Sequence, residues 1–303
     1  MQVVDLFCGV GGFSAGVLET GSPVLGVDND DLMVRLWAAN TKGTGKLADL
    51  WQEVALIGCD GPSLSHAISS SYSVVHQPLH IHISPPCTTL SKARRNTERA
   101  GENAASGMAY LRESLDFLRG MDAKSWSIET VSTPLVQECL REYQEDHDDF
   151  KFAWTVVDAA DYNSPSTRIR IIAGNPGMIR ELRQIPVSRV SVVDAFRRAG
   201  IEPAAEYIKN NTKTRKKQPC IRPNSTQCHT QTASHPLIWC TAEGVTVRCL
   251  NVRETAIIMG FPEHWLLPKS SRAAIKALGN AVPPSLSHAI MRAAKTCADN
   301  TES

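Results

Sequence analysis

The chain has 303 residues, of which 42% are apolar and 21% charged, and a formal net charge of +1. This composition is ordinary for a globular protein, and the near-zero charge excludes a chain that is basic throughout, so any surface for a polyanion must be local. No apolar run approaches the ~20 residues of a membrane span, and the chain starts in a strand-like segment rather than a signal peptide, so we expect a soluble intracellular protein.

The cysteines support the same compartment. There are nine of them, an odd number at irregular spacing, which predicts reduced thiols rather than a disulfide framework. Cys220, Cys228 and Cys240 lie close to two histidines. They form no Cys-x-x-Cys pair, the spacing typical of structural zinc, and we therefore predict no metal site.

The first predicted elements are a strand, a glycine turn and a helix. Residues 2–7 form a short apolar strand, and the turn Cys8-Gly9-Val10-Gly11-Gly12 leads into a helical pattern over 13–19. This arrangement brings backbone and a helix N-terminus close to a ligand. The spacing of the glycines is not that of the dinucleotide fingerprint, so a nicotinamide site is only weakly indicated.

Three acidic residues follow. Asp28 ends the second predicted strand, over 24–27, at the place where Rossmann-like folds bind ribose hydroxyls. Asp30 is predicted to cap the next helix, over 32–39. Asp49 stands near the end of a third predicted strand and, taken alone, is equally typical of an exposed surface residue.

The segment Ser84-Pro85-Pro86-Cys87 is the centre of the sequence. It follows alternating apolar residues over 79–83, and the prolines must end that strand because they have no backbone N–H. Cys87 is therefore expected at a strand's carboxyl end, either as a nucleophile or as a buried, inert thiol. The next segment, 88–106, is predicted to be a basic loop suited to a polyanion; its polar residues include Ser91, Lys92, Arg94 and Arg95.

A second set of polar residues comes from the following strands. A strand over 125–128 is predicted to bring Glu129 to the same sheet edge as Cys87, where it would serve as a general acid or hydrogen-bond anchor, or as a structural ion-pair partner. Arg168 and Arg170 precede a strand over 171–173 and can brace a carboxylate or phosphate. His80 and His82 share one strand face without a third metal ligand, which favours packed or hydrogen-bonded imidazoles.

The last third of the chain has two parts. Residues 175–247 have weaker periodicity and a basic run containing Arg215, Lys216 and Lys217, which indicates a separate, smaller recognition domain that contacts phosphates. Helical patterns return over 248–259 and 285–296. We therefore expect a catalytic, cofactor-binding domain over 1–174, a recognition domain over 175–247, and a return to the first domain over 248–303.

Taken in order, these motifs resemble those of the DNA cytosine-5 methyltransferase family, across nearly the whole chain. Pro85-Pro86-Cys87 is similar to the catalytic Pro-Cys, Glu129-Thr130-Val131 to Glu-Asn-Val, and Arg168-Ile169-Arg170 to R-x-R. The resemblance implies an α/β, Rossmann-like, S-adenosylmethionine-dependent methyltransferase sheet with a second target-recognition domain. It implies that S-adenosyl-L-methionine is bound by Asp5, Phe7, Gly9, Gly11, Gly12, Asp28, Asp49, Pro86 and Asn280.

The resemblance also implies a reaction on double-stranded DNA. The target cytosine is flipped out of the duplex, Cys87 adds to C6, Glu129 holds the ring, and Arg170 helps to place both. The catalytic set is then Cys87, Glu129, Arg168 and Arg170, and a monomer without a protein partner is expected. The compartment would be the cytoplasm in a prokaryote or phage and the nucleus in a eukaryote.

Three alternatives stay open. A tRNA cytosine-5 methyltransferase would use the same cysteine and cofactor, but the Cys-Phe-Thr signature of that subfamily is absent from 175–247. A weakly active or inactive DNA-binding relative is compatible with Thr88, Thr130 and Ser166, which replace usual family residues. A nicotinamide oxidoreductase would leave Cys87 and Arg170 without a role.

Overall fold

The computed structural model describes residues 1–43, 46–47, 79–86, 98–121, 125–210 and 237–302, and for 46–47, 98–104, 106, 210 and 301–302 the backbone alone. No helix in this described part combines the length and the apolar character that a membrane crossing requires. The cysteines of this described part, at positions 8, 139, 240, 249 and 297, are not joined by disulfide bonds.

The larger sheet has seven described strands in the order β3-β2-β1-β4-β5-β7-β6. Strand β7 runs antiparallel to its neighbours β5 and β6, and the other neighbouring pairs are parallel. This confirms the expected Rossmann-like α/β sheet. The strands are β1 Gln2–Leu6, β2 Val24–Asp28, β3 Lys46–Leu47, β4 Leu79–Ile83, β5 Trp126–Val131, β6 Ala153–Asp158 and β7 Ile169–Gly174.

Nine described helices accompany the strands. They are α1 Gly12–Glu19, α2 Asp31–Thr41, α3 Glu98–Gly120, α4 Pro134–Asp146, α5 Pro176–Gln184, α6 Val192–Arg198, α7 Val252–Ile258, α8 Ser271–Asn280 and α9 Pro284–Glu302. Alternate strand residues face opposite sides of the sheet, and each side has its own apolar core. The core on one side includes Leu111 of α3 and Leu140 of α4, and the core on the other includes Val17 of α1, Met178 of α5 and Ile290 of α9.

Helices α1 and α9 are in close contact because of two glycines. A Cβ on Gly12 would lie 2.3 Å from the carbonyl oxygen of Val282, and one on Gly16 only 2.0 Å from that of Pro284. Ser287 Oγ also donates a 2.7 Å hydrogen bond to the carbonyl oxygen of Phe13. The last helix of the chain therefore completes the core around the first helix.

A second, three-stranded antiparallel sheet is formed by β8 Tyr207–Asn210, β9 Leu237–Cys240 and β10 Thr246–Cys249, in the order β10-β9-β8. Its apolar cluster includes Phe196, Ile208, Trp239 and Ile258. Helix α5, although it lies within 175–247, instead packs Met178 and its neighbours on the larger sheet.

The structure corrects two predicted element boundaries. The predicted helix over 248–259 begins only at Val252, because Asn251 caps it through a reciprocal capping box with Glu254 and Arg248 lies in β10. The predicted loop over 88–106 overlaps α3, whose backbone is already helical from Glu98. The predicted cap at Asp30 is confirmed, since its carboxylate accepts from the backbone amides of Leu32 and Met33.

Candidate active site at the carboxyl edge of the larger sheet

The turn between β1 and α1 is sharply bent. Phe7, Gly9 and Gly11 have φ values of 61°, 52° and 90°. These values lie in the left-handed region, which is energetically unfavourable for any residue that has a side chain. A Cβ on Gly9 would meet no atom within 4 Å, whereas one on Gly11 would lie 2.9 Å from Trp37. Gly9 therefore borders open space, and Gly11 is required for packing against protein.

The carboxylate of Asp28 holds this turn against the end of β2. One oxygen accepts a 2.8 Å hydrogen bond from the backbone N–H of Gly9, and the other a 3.0 Å bond from that of Asp30. Burial raises the pKa of Asp28, and these two backbone hydrogen bonds partly oppose the increase. Each carboxylate oxygen can accept a second hydrogen bond, so Asp28 can still bind a ligand hydroxyl.

Asp5 lies within β1 and is only 1% exposed. It accepts a 2.6 Å hydrogen bond from Ser14 Oγ, which itself accepts a 2.7 Å bond from Trp37 Nε1. Burial raises the pKa of Asp5 to about 7. Asp5 thus supports α1 from within the fold, and the surface of the turn is formed by other residues.

The buried pair Glu129 and Arg170 lies near the carboxyl end of β5. Their closest atoms, Glu129 Oε1 and Arg170 Nε, are 2.8 Å apart, and the side chains are 4% and 11% exposed. The two residues come from antiparallel neighbours, in which Val131 pairs with Arg170. The strand predicted over 125–128 in fact continues to Val131, so Glu129 lies within β5, where it pairs with Ile172 of β7.

Arg168 has different described partners from Arg170. It is 2% exposed, and its Nη1 donates a 3.1 Å hydrogen bond to the carbonyl oxygen of Gly279. Its backbone N–H donates to Asp158 Oδ1 at 2.7 Å. Arg168 therefore joins the start of β7 to the end of α8, next to the exposed residue Asn280.

The parallel register brings β4 beside Glu129. Ile83 of β4 pairs with Ile128 of β5, and the next residues along the two strands are Ser84 and Glu129. Beyond Ser84, Pro85 is buried and Pro86 is exposed. The remaining predicted site residues lie outside the described part of the chain: Cys87, Asp49, Ser91, Lys92, Arg94, Arg95, Arg215, Lys216 and Lys217.

His80 and His82 are hydrogen-bonded imidazoles, as predicted. Their ring nitrogens bind Ser125, Ser127 and Ser84 at 2.8 to 2.9 Å. Sequence reasoning missed the serine partners, although Ser127 and Glu129, two positions apart on β5, share one face of the sheet. This alternation along β5, which places Ser127 on the same face as Glu129, is the signal that could have identified Ser127 as a site residue.

A profile of the C-5 cytosine-specific DNA methylase family matches residues 1–175 and 177–296. A comparison with curated protein sequences finds no match.

Several solved structures share the fold. One, described as a DNA modification methyltransferase encoded within an E. coli prophage, has a TM-score of 0.67 and 16% identity, with 99% of each chain covered. The S. pombe Dnmt2 methyltransferase has a TM-score of 0.63 and 14% identity, with both chains fully covered at 100%. The Entamoeba histolytica methyltransferase EhMeth has a TM-score of 0.63 and 16% identity, covering 100% of this chain and 99% of its own.

The profile spans nearly the full length of the chain. This chain belongs to the C-5 cytosine-specific DNA methylase family.

Proposed function

We propose that the protein transfers a methyl group from S-adenosyl-L-methionine to C5 of cytosine within a short sequence of double-stranded DNA. The observation that carries the proposal is the buried ion pair of Glu129 and Arg170, beside the strand that leads into Pro85-Pro86-Cys87. Together they would supply a fixed acidic group and a thiol at one edge of the sheet. A single chain would contain the whole site.

The chemistry of cytosine requires both groups. C5 is a poor nucleophile, and addition of the Cys87 thiolate to C6 would make C5 electron-rich, like the carbon of an enamine. Glu129 would accept a hydrogen bond from the exocyclic amine and, once protonated, donate one to N3, which stabilises the negative charge that develops on the ring. Arg170 would orient Glu129 through the 2.8 Å contact. Loss of the proton from C5 would then release Cys87.

The turn after β1 fits S-adenosylmethionine. The open space at Gly9 accommodates a ligand close to the backbone, and the Asp28 carboxylate is positioned to accept hydrogen bonds from ribose hydroxyls. Phe7 would contact the cofactor from the same turn, and Asp49, Pro86 and Asn280 are further proposed contacts. When bound, S-adenosylmethionine supplies the electrophilic methyl group that the activated C5 takes.

Access to C5 requires that the cytosine leave the duplex. Flipping costs on the order of a few kcal/mol of stacking and pairing, which contacts with DNA must offset. We assign phosphate contacts to Ser91, Lys92, Arg94 and Arg95 after the catalytic cysteine, and to Arg215, Lys216 and Lys217 before β9. The segment 175–247, with the smaller sheet, would read bases in the major groove.

The test is transfer of labelled methyl from S-adenosylmethionine to duplex DNA and, in parallel, to tRNA. We expect label on DNA, and loss of that label in Cys87→Ser. Label on tRNA alone would replace the DNA assignment with an RNA one, and no label on either would contradict the activity. Bisulfite sequencing of DNA from a methylation-free host that expresses the chain would then identify the target sequence.

A further inference from the structure

Five side chains of β4, β5 and the residues that flank these strands form a continuous hydrogen-bonded chain. His80 Nδ1 is 2.8 Å from Ser125 Oγ, and His80 Nε2 is 2.9 Å from Ser127 Oγ. His82 Nδ1 is 2.8 Å from the same Ser127 oxygen, and His82 Nε2 is 2.8 Å from Ser84 Oγ. We call this set of residues, Ser125, His80, Ser127, His82 and Ser84, the serine–histidine chain.

The serine–histidine chain crosses the larger sheet from its amino edge to its carboxyl edge. Ser125 directly precedes β5, and Ser84 directly follows β4. The three central members, His80, Ser127 and His82, are all fully buried at 0% exposure. The His82 ring also stacks parallel to that of Phe13 in α1, with centroids 3.4 Å apart, so α1 holds the network from above the sheet.

Within the serine–histidine chain, each hydrogen-bond donor can be paired with an acceptor. Burial lowers the pKa of His80 to about 3 and that of His82 well below its ordinary value, so both rings are neutral. Each ring then has one donor and one acceptor nitrogen, and Ser127 has a single proton to donate. Full satisfaction requires Ser127 to accept from one ring and donate to the other, which gives both histidines the same tautomer.

We propose that the serine–histidine chain is a positioning network for the catalytic cysteine. Its last member, Ser84, lies one residue beyond the pair of Ile83 and Ile128, in the position next to Glu129. Pro85 and Pro86 follow, and proline fixes φ near −65° and restricts the residue before it. Few free backbone torsions therefore lie between an anchored Ser84 and Cys87 in the sequence, and anchoring Ser84 would restrict the placement of the Cys87 sulfur relative to Glu129.

The inference rests on the proposed function, since a sulfur needs accurate placement only if it attacks a base. Misplacing a reacting atom lowers the rate of the chemical step and leaves remote binding contacts unchanged. The expected signature is therefore a lower rate constant at an unchanged dissociation constant for DNA. A structural role alone would change stability without this separation.

The decisive variant is Ser127→Ala, which removes the central hydroxyl and two hydrogen bonds at once. Its matched control is Ser114→Ala, another buried serine, whose hydroxyl donates only to the carbonyl oxygen of Tyr110 within α3. The first readout is release of tritium from C5-tritiated cytosine in DNA without methyl donor, which reports addition of Cys87 to C6. The second is single-turnover methyl transfer, and the third is the dissociation constant for the same duplex.

For Ser127→Ala we expect both rates to fall by about tenfold or more, with DNA affinity unchanged, and Ser114→Ala to match the wild type. Ser84→Ala removes only the last link and should show the same separation of rate from affinity, which decides the matter if Ser127→Ala does not fold. The double variant should be no slower than the slower single one, because both changes interrupt the same network. Wild-type rates in folded Ser127→Ala and Ser84→Ala would overturn the inference.

Two controls separate this inference from the proposed function. If wild-type protein neither exchanges tritium nor methylates any nucleic acid, the proposed function fails and the positioning role falls with it. If the wild type is active and the variants equal it, only the positioning role fails. Independently, the ¹⁵N shifts of the His80 and His82 rings should report one shared tautomer, and opposite tautomers would contradict a continuous chain.

Discussion

Glu129 is an almost fully buried carboxylate that contacts the guanidinium of Arg170. Its proposed role in holding the cytosine ring and its stable burial depend on this same contact. Oε1 lies 2.8 Å from Arg170 Nε, with 4% of the Glu129 side chain exposed. A Gln at this position would keep the shape and lose the charge that pairs with Arg170. Both the proposed ring-holding role and the local stability are therefore expected to change with a single substitution.

For Glu129→Gln we expect methyl transfer to fall by roughly 10²–10⁴-fold, the range for loss of a positioned acid–base group, and stability to fall by about 1–3 kcal/mol. Single-turnover kinetics and urea unfolding measure the two effects. Glu142→Gln is the control, because Glu142 forms an exposed ion pair with Arg112 at 2.6 Å and such pairs contribute at most ~1 kcal/mol. Equal activity of both variants would remove Glu129 from the proposed mechanism.

Asp5 predicts a specific pH dependence of stability. Burial raises its pKa to about 7 from the ordinary 3.8, so the folded protein binds a proton that the unfolded chain has already released. The free energy of unfolding therefore decreases as pH rises from ~4 to ~7, by up to on the order of 4 kcal/mol, and levels off above that.

Asp5→Asn removes this titration and retains a carbonyl oxygen that can accept from Ser14. The difference in unfolding free energy, variant minus wild type, should increase between pH 5 and pH 7 and be constant above pH 8. Subtracting the two proteins cancels the contributions of all other titrating groups. A difference that is independent of pH would mean that Asp5 is ionised throughout the range.

At the scale of elements, the contact between α1 and α9 depends on the absence of side chains. A Cβ on Gly16 would lie 2.0 Å from the carbonyl oxygen of Pro284 and from Ser287 Oγ, and overpacking of this kind typically costs about 1–3 kcal/mol or more. We expect Gly16→Ala to lower the urea midpoint accordingly. In Gly177→Ala, used for comparison, the new Cβ would lie 2.5 Å from Cys297 Sγ and would meet no backbone atom within 4 Å. The Cys297 side chain is partly exposed and can rotate away, so stability should change by less than about 1 kcal/mol.

The elements around the site could be predicted where local chemistry determines them. The prolines after β4 marked the end of that strand, and Asp30 marked the start of α2. The sequence predicts a start of α7 that is too early, because the apolar periodicity of the helix continues into β10. Only the capping box of Asn251 and Glu254 marks the boundary between strand and helix.

The site was predictable as a set of residue types and much less so as a set of contacts. The order of the motifs identifies Glu129 and Arg170 as candidate site residues. Their contact follows once β5 and β7 are known to be neighbouring strands. Three of the four hydrogen bonds of His80 and His82 reach serines that lie 45 or more residues away, and such contacts depend on strand register, which a single sequence does not specify. The same limit applies to Arg168 and Gly279, 111 residues apart.

At the scale of the whole molecule, the chain leaves the larger sheet, forms the smaller one, and returns to complete the first core. Met178 of α5 and Ile290 of α9 meet Val3 of β1 in one cluster, although the smaller sheet lies between these helices in sequence. Arg168 reinforces the return by binding the carbonyl oxygen of Gly279 at 3.1 Å. The turn between β1 and α1 thus depends for its packing on the C-terminal part of the chain, where Trp265 Nε1 donates a 2.8 Å hydrogen bond to the carbonyl oxygen of Val10.

Arg168→Lys should lower the unfolding free energy by about 2–3 kcal/mol, because a lysine cannot reproduce the guanidinium geometry and brings a strongly hydrated charge into a buried site. Arg183→Lys provides the comparison: Arg183 also binds a backbone carbonyl, that of Trp154 at 2.9 Å, but is exposed. The unfolding free energy of the Arg183→Lys variant should stay within about 0.5 kcal/mol of the wild-type value. Equal effects of the two substitutions would show that Arg168 does not join the two parts.

The most direct measurement is covalent capture on a duplex that contains 5-fluorocytosine at the target position, with S-adenosylmethionine present. Fluorine cannot leave C5 as a proton does, so the bond from sulfur to C6 persists and can be mapped by mass spectrometry of the digested complex. We predict one adduct, on Cys87, and none with Cys87→Ala. An adduct on another residue, or methylated cytosine produced by Cys87→Ala, would contradict it.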